Sequence, residues 1–348
     1  MKCILLHGGQ GTRLRPITHT GSKQLIKIAG KPVSRWMLEK IRDLGIEEFI
    51  IVLGENDPRS VIDYYGDGSA LGVRIKYLYQ GKARGIADAI YRCRGMVGEN
   101  EFIVALGDNV LIDPIPARMV EAGNSVLLAR VRDPSRFGVA VISEDRIVKM
   151  VEKPKEFISD LALVGIYKFS SEIFQEISKL RPSARGELEI TEAIQGLIQD
   201  GFDVNYEVVG NWWKDTGTPE DLLEANMYLL DAYAQRYISG SIVDSEVLGR
   251  VYLGQGSRII NSKVIGPCFI GENTTVADST VEPFCSIGDG ASIERSNLSY
   301  SLVMDGARIS RVSLTRSIIG KNVKLERAEG SEKGVNAVLG ENSTVILR

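Results

Sequence analysis

The last third of this sequence carries a repeat that few folds can accommodate. Leucine–glycine or isoleucine–glycine pairs begin at residues 253, 270 and 287, each 17 residues after the one before. Aliphatic residues recur between and around them at Ile242, Val247, Val264, Val276, Val281, Ile293, Leu298, Ile309 and Ile319. A repeat of roughly six residues is typical of a parallel β-helix, in which each coil buries a stack of aliphatic side chains. An irregular β-domain is the alternative.

The first two thirds of the chain alternate β-rich runs with segments of helical periodicity. Strands are predicted over residues 2–6, 49–53, 73–78, 102–106 and 125–131, and helices over 33–44, 58–65 and 85–96. This alternation predicts an α/β domain with a Rossmann-like, mixed but mostly parallel sheet. A further helix over 218–238 is predicted to connect it to the β-helix. The expected domains are therefore residues 1–237 and 238–348.

A glycine-rich loop follows the first predicted strand. Residues 6–16 read LHGGQGTRLRP, and KQL follows at 23–25. Glycines at 8, 9 and 11 let the backbone approach a phosphate group closely and point N–H groups at it. Positive charge is added by Arg13, Arg15 and Lys23. The loop suits a nucleoside triphosphate, with a glycine turn and solvated arginines as the alternative.

Two better-known phosphate loops do not fit this sequence. The dinucleotide pattern G-x-G-x-x-G fails because Leu14 stands where the third glycine is needed. The Walker A pattern needs Gly-Lys-Ser/Thr, but the Gly-Lys pairs are followed by Pro32, Ala83 and Asn322.

The longer pattern G-G-x-G-T-R-L-R-P-x-T, with K-Q-L downstream, resembles the signature of the sugar-1-phosphate nucleotidyltransferases. Further matching motifs are LGDN at 106–109, FGV at 137–139, VEKP at 151–154, RGELEIT at 185–191 and WKDTGTP at 213–219. The chain is most similar to the long form of the glucose-1-phosphate thymidylyltransferases, whose tail is a left-handed parallel β-helix. One departure is His7, because the family usually has a small residue there.

The resemblance implies transfer of a nucleoside monophosphate from dTTP to glucose 1-phosphate, with release of pyrophosphate. Use of UTP instead, or a non-catalytic regulatory subunit, are the alternatives. A phosphate oxygen is already nucleophilic at neutral pH, so the protein's tasks are alignment and charge neutralisation. Mg²⁺ is the implied cofactor, held by Asp108 and Asp215. Either aspartate alone could instead cap a turn.

The resemblance also implies which residues bind the substrates. The nucleotide-binding residues are Leu6, Gly8, Gly9, Gly11, Thr12, Arg13, Lys23, Gln24, Gln80, Gly85 and Asp108. The sugar-phosphate-binding residues are Gly138, Glu152, Lys153, Val164 and Arg185, and the catalytic residues are Arg13, Lys23, Asp108 and Lys153. The Gln80 amide can pair with the imide edge shared by uracil and thymine, so a pyrimidine is better supported than thymidine. An exposed Glu152–Lys153 ion pair is the alternative for that motif.

Composition excludes several other classes of protein. The 42 Lys and Arg against 45 Asp and Glu give a net charge of −3, so neither nucleic acid nor a membrane surface is an expected partner. No apolar run approaches membrane-spanning length and no signal peptide is evident, which favours the cytoplasm. Cys3, Cys93, Cys268 and Cys285 lack C-x-x-C spacing and are expected to be reduced, buried thiols.

Histidine usage limits what the repeat can catalyse. The sequence contains only His7 and His19. Acyltransferases with hexapeptide repeats rely, by resemblance, on a histidine base in or near the coil. The β-helix is therefore expected to serve packing and assembly, and the protein is expected to be a homo-oligomer.

Overall fold

The computed structural model describes residues 1–121, 123–210, 212–327 and 334–347. The chain folds into two compact units. The first contains Met1–Gln10 and Ser34–Trp213, and the second contains Gly11–Val33 and Lys214–Arg348. Each unit is thus built from two separate stretches of sequence, and the first change of unit falls inside the glycine-rich loop. The domain boundary at 237/238 stays a prediction.

A mixed sheet of nine strands, counted over the described residues, forms the centre of the first unit. The strands are β1 Lys2–His7, β2 Glu48–Gly54, β3 Arg74–Gly81, β4 Phe102–Leu106, β5 Asn124–Arg130, β6 Gly138–Ser143, β7 Arg146–Glu152, β8 Leu161–Phe169 and β9 Val204–Val209. All five predicted strands are confirmed as β1 to β5. The largest difference is the end of β3, predicted at residue 78 and found at Gly81.

The spatial order of the strands is β7-β6-β8-β4-β1-β2-β3, with β5 beside β8 and β9 beside β5. Strand β1 runs parallel to both β2 and β4, whereas β8 runs antiparallel to β4, β5 and β6. In β1, Cys3, Ile4 and Leu5 are completely buried. A continuous apolar run of this kind is what a parallel strand covered on both faces requires. The predicted mixed, mostly parallel α/β fold is confirmed.

Seven α-helices lie within the described residues. They are α1 Val33–Arg42, α2 Pro58–Tyr65, α3 Ile86–Arg92, α4 Arg94–Val97, α5 Ile173–Lys179, α6 Ile190–Gln199 and α7 Pro219–Tyr233. Short 3-10 helices lie at Thr12–Leu14, Ile17–His19, Lys23–Leu25, Ser69–Leu71, Ala117–Val120 and Pro134–Arg136, and short strands at Lys27–Ile28, Lys31–Pro32, Asn109–Leu111 and Trp213–Asp215.

Three predicted helices differ from the observed ones. The smallest difference is in α1, which ends at Arg42 rather than at the predicted residue 44. The helix expected over 85–96 is divided into α3 and α4, because the Cys93 N–H bonds to the Ile90 carbonyl at 2.9 Å and tightens the turn. The helix expected over 218–238 begins as predicted, with a capping box between Thr218 and Asp221. It ends early, at Tyr233, because the backbone is extended at Ala234.

The C-terminal part of the second unit is a stack of short parallel strands in three sheets. The strands of the first sheet are Tyr237–Ile238, Val251–Leu253, Cys268–Ile270, Ser286–Ile287, Leu302–Val303, Ile318–Ile319 and Val338–Leu339. Those of the second are Ser241–Val243, Arg258–Ile260, Thr275–Ala277, Ser292–Glu294, Arg308–Ser310, Lys324–Arg327 and Thr344–Leu347. Those of the third are Glu246–Leu248, Lys263–Ile265, Thr280–Val281, Asn297–Ser299 and Ser313–Thr315. This arrangement confirms a parallel β-helix, while its left-handedness stays a prediction.

The register of this stack follows the repeat. Leu253 pairs with Ile270, and Ile270 pairs with Ile287, in the order of the 17-residue spacing. All three side chains are fully buried in a continuous aliphatic core. The expectation for Ile242 is wrong, since this side chain is 39% exposed. Ile242 belongs to the first coil, which has a neighbouring coil on one side only.

Two other expectations can be compared with the structure. All four cysteines are buried and free of disulfide bonds, as predicted. Within the described part of the chain, none of the helices is both long enough and apolar enough to cross a membrane.

Candidate active site

In the first unit, two predicted site loops leave the sheet at the same edge. Leu6 of β1 pairs with Leu106 of the parallel strand β4, and the Gly107 N–H bonds to the Leu6 carbonyl at 3.0 Å. The glycines at 8 and 9 and the carboxylate of Asp108 therefore follow the carboxyl ends of adjacent strands. This edge is where open α/β sheets bind their ligands.

The residue that departs from the family pattern, His7, is buried at this edge. Its side chain is 3% exposed, and neither ring nitrogen has a hydrogen-bond partner among the described residues. The ring packs edge-on against Tyr65, with the two centroids 5.9 Å apart. Burial lowers the pKa of His7 to about 3. The imidazole is therefore neutral at physiological pH.

The predicted base-reading residue, Gln80, is held by a carboxylate. Its Nε2 donates a hydrogen bond of 2.8 Å to Asp88 Oδ2, and the same oxygen accepts from Arg92 Nε at 2.8 Å. A carboxylate accepts and cannot donate, so the amide nitrogen must face Asp88. The amide oxygen Oε1 then points to the opposite side, where a Cβ at Gly8 would lie 2.9 Å from it.

The turn that follows Gln80 leaves no room for a side chain at Gly85. Gly85 has φ +99°, and a Cβ there would overlap the carbonyl oxygen of Leu188. Backbone hydrogen bonds join the same segments, from the Leu188 N–H to Arg84 at 2.8 Å and from the Ala87 N–H to Leu188 at 3.3 Å. The turn that carries the predicted nucleotide-binding residue Gly85 is thus in direct contact with the RGELEIT motif.

The predicted sugar-phosphate residues Glu152 and Arg185 are ion-paired. Arg185 Nη2 lies 2.9 Å from Glu152 Oε1 and 2.7 Å from Glu189 Oε2. Glu152 Oε2 accepts a hydrogen bond of 3.2 Å from Thr191 Oγ1. Burial and the neighbouring Glu189 carboxylate raise the pKa of Glu152 above its usual range. The group is a partly buried cluster, which differs from the exposed Glu152–Lys153 pair considered as the alternative.

Three other predicted sugar-site residues surround this cluster. Gly138 pairs with Glu152 across the β6–β7 hairpin, and a Cβ there would overlap Thr191. Lys153 adopts a left-handed conformation with φ 43°, and its Nζ is 3.9 Å from Glu152 Oε1. The carbonyl of Val164 accepts a hydrogen bond of 2.8 Å from Asn109 Nδ2, which connects it to the turn carrying Asp108.

In the second unit, two predicted phosphate-binding cations meet a predicted metal ligand. Lys23 Nζ lies 3.3 Å from Asp215 Oδ1, and Arg13 Nη2 lies 3.7 Å from Asp215 Oδ2. The Lys23 side chain is only 6% exposed, whereas that of Arg13 is 59% exposed. At Gly217, a Cβ would lie 2.6 Å from Arg13 Nη2, so a larger residue would displace the guanidinium.

The remaining loop residues of this unit are held by short-range contacts. Gly11 has φ 62°, and its carbonyl accepts a hydrogen bond of 2.7 Å from Thr18 Oγ1. Thr12 begins the 3-10 helix that carries Arg13. Gln24 is buried, and its Oε1 accepts a hydrogen bond of 2.8 Å from Ser22 Oγ.

Several contact residues were missing from the sequence-based set. Glu189, Thr191 and Gly217 stand inside the quoted motifs, so the motifs themselves were the signal that could have identified them. Asp88 stands in no quoted motif, and only its place in the first turn of α3 connects it to Gln80.

The fold and these side chains define an α/β enzyme that handles phosphorylated, nucleotide-type substrates. The chain matches the nucleotidyl transferase family over residues 2–232. It belongs to this family and is a nucleotidyltransferase.

Two individual proteins illustrate the similarity. The chain is 41% identical over 264 residues to the low-salt glycan biosynthesis nucleotidyltransferase Agl11 of Haloferax volcanii, a match that covers 74% of each chain. It is 42% identical over 270 residues to a glucose-1-phosphate thymidylyltransferase of Streptomyces antibioticus, again covering 74% of each chain.

Solved structures show the same similarity. A Bacillus anthracis protein described as a glucose-1-phosphate thymidylyltransferase is 39% identical with a TM-score of 0.61, over 65% of this chain and 94% of that one. A UDP-glucose pyrophosphorylase in complex with UDP-glucose is 25% identical with a TM-score of 0.60, over 67% of this chain and 99% of that one.

Proposed function

We propose that this protein transfers a thymidylyl group from dTTP to glucose 1-phosphate. A phosphate oxygen of the sugar phosphate forms a bond to the α-phosphorus of the nucleotide. The bond between that phosphorus and the bridging oxygen to the β-phosphate breaks, and pyrophosphate leaves. The products are dTDP-glucose and pyrophosphate. No covalent enzyme intermediate is required, because the sugar phosphate is itself the nucleophile.

The contact between Lys23, Arg13 and Asp215 carries this proposal. Two polyanionic substrates repel each other, so the protein must supply positive charge where they meet. Lys23 is a buried ammonium group held beside a carboxylate, 3.3 Å from Asp215 Oδ1. Together with the exposed Arg13 guanidinium, it gives the glycine-rich loop fixed cations for a triphosphate.

Magnesium fits the residues proposed to hold it. The proposed ligands Asp108 and Asp215 offer carboxylate oxygens, the donor type that Mg²⁺ takes in combination with substrate phosphates and water. In this structure Lys23 and Arg13 pair with Asp215, so a bound Mg²⁺ would take over part of that pairing. The ion, when bound, supplies charge that offsets the repulsion between the substrates. Lys23 and Arg13 supply the part of that charge that belongs to the chain.

The base is proposed to be read by Gln80. With Nε2 committed to Asp88, the amide presents its acceptor Oε1 to a ligand. The N3–H of thymine or uracil is a donor and matches this acceptor, whereas the N3 of cytosine is an acceptor and does not. Gly85 places no side chain at the end of the neighbouring turn, where a Cβ would overlap Leu188.

The sugar phosphate is proposed to bind at the Glu152–Arg185 cluster. Glu152 would accept hydrogen bonds from sugar hydroxyls, and Arg185 and Lys153 would face the phosphate. The ion pair between Arg185 and Glu152 holds both side chains in place before the substrate arrives.

A second candidate is the same reaction with UTP. It is favoured by the similarity to a UDP-glucose pyrophosphorylase in complex with UDP-glucose. The Gln80 acceptor would serve uracil as well as thymine, and one methyl group discriminates weakly. Comparing kcat/KM for dTTP and UTP with glucose 1-phosphate separates the two, and a large preference for UTP would contradict the choice of dTTP.

Pyrophosphate release tests the reaction itself. The parent chain, supplied with dTTP, glucose 1-phosphate and Mg²⁺, is expected to release pyrophosphate, and Asp108→Asn is expected to slow release at least 100-fold, in the range of about 10²–10³ for one transition-state charge contact. Equal rates in both chains would contradict the role given to Asp108. No release from the parent with either nucleotide would favour a non-catalytic regulatory subunit.

Assembly and location are part of the same proposal. The four buried, free thiols suit a cytoplasmic enzyme. Parallel β-helices commonly associate, so the protein is proposed to form a homo-oligomer. Light scattering that gives the mass of a single 38.2 kDa chain would contradict this.

A further inference from the structure

The loop segment 11–33, defined here as the residues of the first stretch of the second unit, packs on the β-helix. It carries both Arg13 and Lys23 and belongs to one compact unit with the coils that begin 200 residues later. The β-helix is therefore in direct contact with the loop segment, a contact that an assembly role does not require.

Lys27 makes the strongest of these contacts. Its Nζ lies 2.7 Å from Asp289 Oδ2 and 2.9 Å from Asp305 Oδ2. The Lys27 side chain is 32% exposed, so about two thirds of it is covered. An isolated ion pair on the surface contributes little to stability. Here one ammonium group interacts with two carboxylates, so a larger contribution is expected.

The two aspartates are fixed by the repeat itself. Asp289 Oδ1 accepts a hydrogen bond of 2.9 Å from the Glu272 N–H, and Asp305 Oδ1 accepts one of 3.0 Å from the Asp289 N–H. Each carboxylate thus bonds both to the backbone of the preceding coil and to Lys27, and Asp305 contacts the ammonium group with both oxygens, its Oδ1 at 3.1 Å. Both partners of Lys27 are therefore hydrogen-bonded to the backbone of the stack.

A second contact lies two residues further along the loop segment. The Ala29 N–H donates a hydrogen bond of 2.9 Å to Asn226 Oδ1. Asn226 is fully buried, and it also accepts from Ser286 Oγ at 2.6 Å and donates to the Phe284 carbonyl at 2.9 Å. This asparagine of α7 therefore joins the loop segment to two positions of one coil.

Close packing adds contacts at both ends of the loop segment. A Cβ at Gly30 would overlap the ring of Phe269. A Cβ at Gly340 would lie 3.1 Å from Pro16 Cβ, near the other end. The segment is thus held against coils that are about 70 residues apart in sequence.

The Lys27 contact is transmitted to Lys23 through a short, hydrogen-bonded stretch of backbone. The Ile26 N–H bonds to the Lys23 carbonyl at 3.2 Å, and residues 27–28 pair with 31–32 in a small antiparallel ladder. Only three residues separate Lys27 from Lys23, and they include a 3-10 turn. A displacement at Lys27 would therefore move Lys23.

We propose that the β-helix positions the nucleotide-binding loop, and that Lys27 is a positioning residue acting through Lys23. This rests on the proposed function, because it assigns the loop to the nucleoside triphosphate. The repeat domain then contributes to nucleotide affinity although it offers no catalytic group of its own.

The test compares Lys27→Met with Lys263→Met in the full-length chain. Lys263 is a matched control, since it forms a 2.8 Å ion pair with Glu246 within the β-helix. Hydrogen exchange of backbone amides in residues 11–33 is measured without substrate, and kcat and KM for dTTP are measured with glucose 1-phosphate. Lys27→Met is expected to exchange faster in this segment and to lower kcat/KM at least 10-fold, mostly through KM, since small misplacements cost up to about 100-fold. Lys27→Arg is expected to restore most of the loss.

Lys263→Met is expected to change neither measurement. The proposal is wrong if Lys27→Met has the same amide exchange rates and the same KM for dTTP as the parent. It is also wrong if Lys27→Met and Lys263→Met lower kcat/KM by the same factor. Asp305→Asn replaces Lys27→Met if the latter does not fold, because it keeps the backbone acceptor and removes one charge. Hydrogen exchange can be measured without catalytic turnover. A parent chain that is inactive with both nucleotides would therefore contradict the proposed function, while the exchange rates would still test whether the β-helix positions the loop.

Discussion

Lys23 Nζ lies 3.3 Å from Asp215 Oδ1, although 192 positions separate the two residues in the sequence. The lysine side chain is almost completely buried, and a buried ammonium group without a partner would cost several kcal/mol. The Asp215 carboxylate thus gives this buried ammonium group an ionic partner. Substrate phosphates can then use this charge without the protein reorganising.

Removing this charge should slow the reaction. Lys23→Met keeps the length of the side chain and removes the ammonium group, so kcat/KM for dTTP is expected to fall about 100- to 1,000-fold. Pyrophosphate release measures the effect. Arg59→Met is the control, because Arg59 is 89% exposed and pairs with Asp63 on the surface of α2. A Lys23→Met chain within threefold of the parent would contradict the role of this cation.

Asp88 should determine which bases Gln80 accepts. In Asp88→Ala the amide of Gln80 loses the shorter of two hydrogen bonds that orient it and keeps the 3.5 Å contact with the Gly85 carbonyl, so its oxygen and its nitrogen can exchange places more easily. The parent is expected to use CTP poorly. In the variant, the ratio of kcat/KM for dTTP to kcat/KM for CTP is expected to be at least 10-fold smaller, which corresponds to about the free energy of one oriented hydrogen bond. Asp63→Ala on α2 serves as the control. An unchanged ratio would show that Asp88 does not orient the amide.

The sequence predicted the elements whose causes are local or periodic. The strands β1, β2, β4 and β5 follow from continuous apolar runs, and β3 follows from a β-rich run in which apolar residues alternate with charged ones. The coils follow from the repeat that brings Leu253, Ile270 and Ile287 into register. The motifs also identified Arg13, Lys23 and Asp215 before their contact was known. A motif can identify such residues because it records which side chains act together, even when they are distant in the chain.

The sequence did not predict contacts that depend on how distant segments pack. Lys27 meets Asp289 across 262 positions, and no periodicity in either segment indicates the partner. Each compact unit also contains two separate stretches of sequence, and residues 11–33 belong to the same unit as the β-helix. The sequence alone predicts that residues 11–33 belong to the first domain, because the composition of the sequence changes only near residue 240.

Glu152 should set the affinity for the sugar phosphate. In Glu152→Gln the side chain keeps its size but loses the charge that pairs with Arg185 at 2.9 Å. Hydrogen bonds to charged groups contribute about 1.5–3 kcal/mol, so KM for glucose 1-phosphate is expected to rise 10- to 100-fold while KM for dTTP changes little. Glu47→Gln, which removes an exposed carboxylate near Arg74, is the control. Equal changes in both KM values would contradict a sugar-specific role.

The buried imidazole of His7 should make the protein less stable in mild acid. Burial lowers the pKa of His7 to about 3, whereas an imidazole in an unfolded chain titrates near 6.5. Between these values the unfolded chain binds a proton that the folded chain does not. The free energy of unfolding therefore falls as the pH falls below about 6.5, by about 1.4 kcal/mol per pH unit. From pH 7 to pH 5 the loss from this residue is about 2 kcal/mol.

His7→Ala should remove this part of the pH dependence. Denaturant unfolding of the parent and of the variant is measured at pH 7 and pH 5, and the variant is expected to lose about 2 kcal/mol less than the parent between them. His19→Ala, which removes an exposed imidazole from the same stretch of chain, is expected to behave like the parent. Alanine leaves a cavity beside Tyr65, so the variant is expected to be less stable at pH 7 while showing the flatter profile. If the free energy of unfolding falls equally from pH 7 to pH 5 in His7→Ala and in the parent, then His7 binds a proton in the folded protein. The buried imidazole would then not be neutral.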